Sequence, residues 1–202
     1  MADILYVFEN NVYLNITNAC PCRCTFCIRN NGDSVGDAQS LWFKSHTPSF
    51  EEIKKSIDEF DFKAYSEVIF CGYGEPTCAI DNLLKTAEYL KNKLKIKVRL
   101  NTNGLSDLIN KRETAKDICK NIDVISVSLN APTAEKYNKL CNPSFGDKAF
   151  DEVVSFAKQC KAEGVVVKFS LVDVISKEDI DACQKLADEI KIPLRVRHYS
   201  EN

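Results

Sequence analysis

Histidine is almost absent. Only His46 and His198 occur, neither has a partner by spacing, and both read as structural. Long apolar runs are missing too. The longest, Val165 to Val174, is interrupted by Lys168 and is too short to span a bilayer. The opening residues, Met1 to Asn10, have no basic start and no long apolar run, so no signal peptide is expected. Nor does charge of one sign dominate. Lys and Arg total 27 against 29 Asp and Glu, a net charge of −2, so nothing electrostatic recruits nucleic acid or an anionic membrane. No internal repeat, low-complexity linker or second cysteine cluster is visible. Hydrophobic residues at 45% and charged residues at 28% exclude disorder. The expectation is one soluble, cytoplasmic domain of 202 residues, long enough to bury a sizeable core.

Cysteine, by contrast, is plentiful. Of ten cysteines, six (Cys71, Cys78, Cys119, Cys141, Cys160, Cys183) are scattered singly. In a reducing cytosol such residues read as buried small hydrophobes. The other four lie in Cys20-Pro-Cys-Arg-Cys24-Thr-Phe-Cys27, and clustered cysteines in a cytosolic chain suggest metal. Three thiolates spaced Cys-x3-Cys-x2-Cys on a cubane iron–sulfur cluster would leave one iron open to bind and activate a substrate. Two other readings remain: structural zinc held by Cys20, Cys22, Cys24 and Cys27, and an electron-carrying cluster held by all four. Structural zinc normally gathers two separated ligand pairs, which this loop lacks.

Six segments read as strands: Val12–Thr17, Glu67–Cys71, Lys97–Asn101, Val124–Leu129, Val165–Val172 and Leu194–Arg197. Ile4–Phe8 is expected to pair with the first as a hairpin across Glu9-Asn10-Asn11. Helical patterns separate the strands. Ser49 with Glu52, and Ser176 with Asp179, read as capping boxes, and Gly164 as a left-handed helix stop. This alternation predicts a parallel sheet. Most strands alternate apolar and polar residues, as in Ile125, Val127, Leu129 against Ser126, Ser128, Asn130. With helices on the apolar face, the polar face must line something wet. An incomplete barrel of six parallel strands meets that need; antiparallel strands with a solvated face are the alternative.

Two further motifs follow strands. Cys71-Gly72-Tyr-Gly74-Glu75-Pro76 offers glycines for close backbone approach and a glutamate able to accept from an ammonium group. Asn101-Thr-Asn103-Gly104 ends the next strand, with Ser128 and Asn130 at the end of the one after, where ligands sit in parallel sheets. Ordinary turns explain any of these singly.

Together these features resemble the radical S-adenosylmethionine (SAM) superfamily. Cys20, Cys24 and Cys27, with Phe26 between, match its Cys-x3-Cys-x-aromatic-Cys motif. Gly74-Glu75-Pro76 matches the core of its Gly-Gly-Glu-Pro motif, with Tyr73 in place of the first glycine. Over nearly the whole chain the sequence is most similar to the TatD-associated radical proteins. That likeness is carried by Leu14-Asn-Ile-Thr-Asn, Phe70-Cys-Gly-Tyr-Gly-Glu-Pro, Arg99-Leu-Asn-Thr-Asn-Gly, Ser126-Val-Ser-Leu-Asn-Ala-Pro and Pro193-Leu-Arg-Val-Arg-His-Tyr.

The resemblance implies a partial (β/α)6 TIM-like barrel with a 4Fe-4S cluster on Cys20, Cys24 and Cys27, and S-adenosyl-L-methionine as cofactor. It implies a 5′-deoxyadenosyl radical that takes hydrogen from an unnamed substrate. By that analogy Glu75 with Gly74 holds the methionine ammonium, and Asn101, Ser128 and Asn130 reach the ribose or carboxylate. Phe26 lies near adenine; Gly72 and Asn103 complete the cofactor-binding set. Implied partners are a one-electron reductant such as ferredoxin or flavodoxin and a TatD-type hydrolase. The competing function is a non-catalytic iron–sulfur or zinc protein. Cys22 reads as a bystander. The loop Arg29–Thr47, with Leu41-Trp42-Phe43, reads as a lid or as a plug at the barrel's edge. Lysines 91, 93, 95 and 97 read as a solvated helix end. Arg195 and Arg197 are expected to face the lumen.

Overall fold

The alternating strands form one curled sheet in a computed structural model that describes residues 2–199. Its strands are β1 (Leu5–Phe8), β2 (Asn11–Leu14), β3 (Glu67–Phe70), β4 (Lys97–Thr102), β5 (Val124–Ser128), β6 (Val166–Val172) and β7 (Leu194–Arg197). They lie side by side in chain order. The β1–β2 pair is antiparallel, with Val7 opposite Val12, and every later pair is parallel. β1 and β7 remain unpaired with each other, so the expected six parallel strands form an open barrel with a hairpin at one edge.

The hairpin turn is tighter than the sequence suggests. Glu9 and Asn10 alone occupy it, both at positive φ (45° and 62°). That geometry matches the right-handed twist of the strands and leaves Asn11 free to pair with Phe8. β2 in turn stops at Leu14 rather than Thr17. The Asn15 side chain is drawn into bonds with Leu41 O and Tyr73 N, and the chain leaves the ladder there.

Among the described residues seven α-helices lie between the strands: α1 (Phe50–Asp58), α2 (Ile80–Lys93), α3 (Ser106–Asn110), α4 (Ala115–Cys119), α5 (Ala134–Cys141), α6 (Lys148–Ala162) and α7 (Lys177–Ile190). Ser49 and Glu52 form both halves of a capping box on α1. At α7 only half forms: Ser176 accepts from Asp179 N, but the Asp179 carboxylate is held by Lys136. Gly164 stops α6 at φ +85°. Among the described residues no helix is long and apolar enough to cross a membrane.

The apolar strand face carries the core. Val68, Phe70, Val98, Leu100, Ile125, Val127, Val167 and Phe169 are buried against Leu83, Leu90, Val153, Phe156, Cys160 and Ala187 of the helices. Each such side chain contributes about 1.5–3 kcal/mol. The opposite face is polar in registered rows. Asn101, Ser126 and Lys168 form one; Ser128, Ser170 and Arg195 form the next. The sheet curls enough for Arg197 of β7 to act electrostatically on Cys71, just beyond β3.

A second, smaller core sits at the hairpin end, where Tyr6, Val35, Leu41 and Tyr73 are buried together with Tyr13 and Trp42 packed against them. The Tyr6 and Tyr13 rings stack 5.2 Å apart, and Trp42 meets Tyr73 edge-on at 5.1 Å. The long loop is therefore a fitted plug, with Leu41 fully buried, rather than an unattached lid.

Candidate active site

The cysteine loop leaves the carboxyl end of β2 and is stitched to the end of α5. Arg23 N donates to Cys141 O (3.0 Å), Thr25 N to Leu140 O (3.0 Å), and Ser144 N to Pro21 O (2.8 Å). Its other side rests on the turn after β3. Gly74 is required there, because a Cβ would lie 2.2 Å from Thr17 O, and Glu75 N donates to Ala19 O (2.9 Å). Arg29 ties the two together by donating to Asn18 O and Tyr73 O, with its guanidinium over the Trp42 ring.

The thiols differ in environment. Cys22 is 3% exposed and belongs to the main core, while Cys20, Cys24 and Cys27 are partly exposed. Cys22 stands beside Cys20 and Cys24, and Cys141 beside Cys24, closely enough to shift their ionisation. Cys22 holds the Cys20 thiol below its ordinary range, with help from Arg29. The hydrogen bonds from Cys141 and then Cys22 bring Cys24 down to about 4. The thiols of Cys22 and Cys141 are pushed up in exchange. Cys20 and Cys24 are thus shifted toward the thiolate that binds metal.

Glu75 is buried at the mouth of the barrel. Its Oε1 accepts from Thr77 N, Thr77 Oγ1 and Thr102 Oγ1, and its Oε2 from Asn103 N (2.7 Å). Burial raises its pKa, and these bonds oppose the rise. The carboxylate first of all ties the end of β3 to the end of β4. Oε2, with one donor, is the atom left for a further partner. Gly72 faces inward on its own chain: a Cβ there would lie 2.3 Å from Asn15 Oδ1. Both glycines therefore let two chain segments meet, a use the sequence did not single out.

Asn103 bridges these parts. Its Nδ2 lies 4.0 Å from Cys20 Sγ and 3.8 Å from Cys22 Sγ. Asn130 stands at the end of β5 in the left-handed region (φ 58°) and is 5% exposed. Its Nδ2 donates to Cys141 Sγ (3.6 Å), and its Oδ1 is buried without a hydrogen-bond partner. Asn101 lies beside the Cys71 thiol, whose pKa burial raises and Asn101 partly offsets. Ser128 is half-buried opposite Ser170. Phe26 packs against the core beside the loop.

Cys20, Cys22, Cys24, Asn103, Glu75 and Asn130 thus share one end of the barrel. Asn101 lies one step deeper. Sequence reasoning missed Cys141 and Arg29. Cys141 was one of six scattered cysteines, and nothing local marks its contact with Cys24, which exists only through the fold. The histidines do find partners: His46 meets Glu52 and His198 meets Asp173. Three of the four lysines in the run pair with carboxylates, Lys91 with Asp123, Lys93 with Asp58 and Lys97 with Glu67.

The residues present fit a cluster and a nucleoside-bearing cofactor. Two thiolate-prone cysteines in one loop suit iron, and the orphaned Asn130 Oδ1 is a buried acceptor awaiting a hydroxyl or amine donor. Among the described residues no three acidic, histidine or cysteine side chains are already converged on one metal position.

The model of the Radical SAM superfamily matches residues 14–190. A probable dual-specificity RNA methyltransferase RlmN from Thermotoga sp. (strain RQ2) is 24% identical over 180 residues, covering 85% of this chain and 49% of that protein. The chain spans about half the length of the curated relatives it matches. Methylornithine synthase (PylB) superposes with a TM-score of 0.67 at 18% identity, over 96% of this chain and 55% of that one. anSMEcpe with bound AdoMet gives 0.63 at 22%, over 93% and 50%. These likenesses are of fold.

Proposed function

The chain belongs to the radical SAM superfamily, and from that premise we propose that it is an enzyme that cleaves S-adenosyl-L-methionine reductively to abstract hydrogen from a substrate. The observation that carries this reading is the joint placement of the thiolate-prone Cys20–Cys27 loop and the unpartnered Asn130 Oδ1 at the carboxyl end of a curled parallel sheet. When bound, a reduced 4Fe-4S cluster would supply one electron to the sulfonium of S-adenosyl-L-methionine, breaking its S–C5′ bond to give methionine and a 5′-deoxyadenosyl radical.

The protein's own groups prepare that site. Cys20, Cys24 and Cys27 hold iron, with Cys22 and Cys141 beside the thiolates. Oε2 of Glu75 and the Gly74 backbone face the ammonium. Asn130 Oδ1 accepts from a ribose hydroxyl, Ser128 and Asn101 line the lumen below, and Phe26 packs near the adenine. Asn103 and Gly72 hold the strand ends in place. The aromatic plug around Tyr73 and Trp42 keeps water from the hairpin side.

Within the superfamily we place the chain with the TatD-associated radical proteins, in the cytoplasm, with ferredoxin or flavodoxin as electron donor and a TatD-type hydrolase as associate. The similar proteins act on different materials by name, RNA for RlmN and a precursor peptide bound to SuiB of Streptococcus suis, so no substrate is carried over.

The test is spectroscopic. Anaerobic reconstitution is expected to load about four irons per chain. The electron paramagnetic resonance signal of the reduced cluster is expected to change shape when S-adenosyl-L-methionine is added. A fully loaded cluster whose signal ignores the cofactor would identify an electron carrier instead.

A further inference from the structure

The inner face of the sheet is strongly cationic in a chain whose net charge is −2. Lys97 and Arg99 of β4, Lys168 of β6, and Arg195 and Arg197 of β7 share it, by strand alternation and register, with a single strand carboxylate, Glu67 of β3. Arg99 pairs with Glu67 Oε2, and Lys97 stands 3.9 Å from Oε1, which accepts no hydrogen bond. Lys168, Arg195 and Arg197 have no ion pair among the described residues. Partial burial, then the charges of Arg99 and Arg195, hold the Lys168 ammonium below its ordinary range. The Arg99 Nε is buried without a hydrogen-bond partner. Like charges gathered in a concave surface with an idle donor describe a site built for an anion.

Position narrows its role. Lys168 lies in the amino-terminal half of β6, level with Ser126 and Asn101, and Arg195 stands one row higher, level with Ser170 and Ser128, whereas the cysteine loop, Glu75 and Asn130 crown the carboxyl ends. An anion held below leaves the rest of the ligand directed at the cofactor.

We propose that the substrate is a small molecule carrying a carboxylate or phosphate, anchored by Lys168, Arg195 and Arg99 on the inner face of the sheet. This rests on the proposed function for its catalytic meaning. The anion site itself is testable apart from turnover.

The experiment titrates inorganic pyrophosphate, and in a parallel arm succinate, into the anaerobically reconstituted protein at low salt by calorimetry. Saturable binding of one or both is expected, and the stronger arm tells phosphate from carboxylate. Lys168→Gln and Arg195→Gln should each weaken binding about tenfold, the loss expected for one charge-assisted bond. Lys168→Arg should restore it, and Lys158→Gln on the outer helix α6 should change nothing. Binding that ignores Lys168 and Arg195, or no binding in either arm, overturns the proposal. So does competition by S-adenosyl-L-methionine, which would make these cations the cofactor's own carboxylate site. Tighter, Lys168-dependent binding of a short single-stranded RNA overturns the small-molecule assignment. Wild-type protein that binds the anion but never forms 5′-deoxyadenosine refutes the enzyme reading and with it the substrate role; formation of that product without anion binding refutes this proposal alone.

Discussion

Replacing Gly72 by alanine tests how the site is locked to the plug beside it. The added Cβ would fall 2.3 Å from Asn15 Oδ1 and 2.6 Å from Asn15 Cβ. The second contact is at the root of the side chain, so Asn15 cannot evade it by rotating its amide alone. Asn15 is 1% exposed, accepts from Tyr73 N (3.1 Å) and donates to Leu41 O (2.8 Å). Moving it strains or breaks both bonds. A buried group left unpaired costs about 1–3 kcal/mol, and overpacking alone costs about 1–3 kcal/mol. With partial relaxation the net loss is about 3 kcal/mol. At a urea dependence of about 3 kcal/mol per molar, the unfolding midpoint falls by about 1 M. The assay is urea unfolding of the reduced, metal-free protein followed by circular dichroism. Gly32→Ala is the control, since nothing lies within 4 Å of its Cβ, and it should shift stability by no more than about 0.5 kcal/mol. A Gly72→Ala midpoint equal to that of wild type would refute the reasoning.

Three further perturbations address separate parts. Tyr73→Phe removes the hydroxyl that donates to Gly32 O (2.8 Å) and Ser34 O (3.2 Å). It should cost about 1 kcal/mol and speed limited proteolysis within residues 31–48, with an unchanged cleavage rate counting against the plug. Glu152 carries a carboxyl raised from 4.5 to about 7 by burial and then by Asp107, and its Oε1 has no partner. Its protonated form is favoured in the folded chain, so stability is fullest below 4.5 and falls as pH rises through about 7. Because the group is only half-buried, solvent screening reduces the effect to about 1 kcal/mol. Glu152→Gln should flatten that slope in thermal melts, and an unaltered slope would contradict the assignment. Cys22→Ala should keep its iron after reconstitution while Cys24→Ala loses most of it; loss in both would make Cys22 a ligand.

Much of the fold could be read from alternation. β7 runs over the expected Leu194–Arg197, and the polar faces of β4, β5 and β6 do turn inward. Caps were legible where the side chain is long enough, as at Glu52; Asp179 is shorter and was claimed by Lys136 on another helix. What failed to show locally was whatever depends on distant segments meeting. Asn15 cut β2 short because Leu41 and Tyr73 claimed its side chain. Gly72 and Gly74 read as glycines for ligand approach, and their lack of a Cβ also lets Asn15 and Thr17 come close. Cys141 looked like any buried cysteine until α5 brought it beside Cys24. The cation set was half visible in Arg195 and Arg197, but joining Lys168 and Arg99 to it needed the register of four strands.

The central claim is that this site cleaves its cofactor by one-electron reduction. Reconstituted protein, reduced with dithionite and given S-adenosyl-L-methionine, is predicted to release 5′-deoxyadenosine and methionine in equal amounts by chromatography, and Cys24→Ala is predicted to release neither. A loaded wild-type cluster that leaves the cofactor intact would contradict the account.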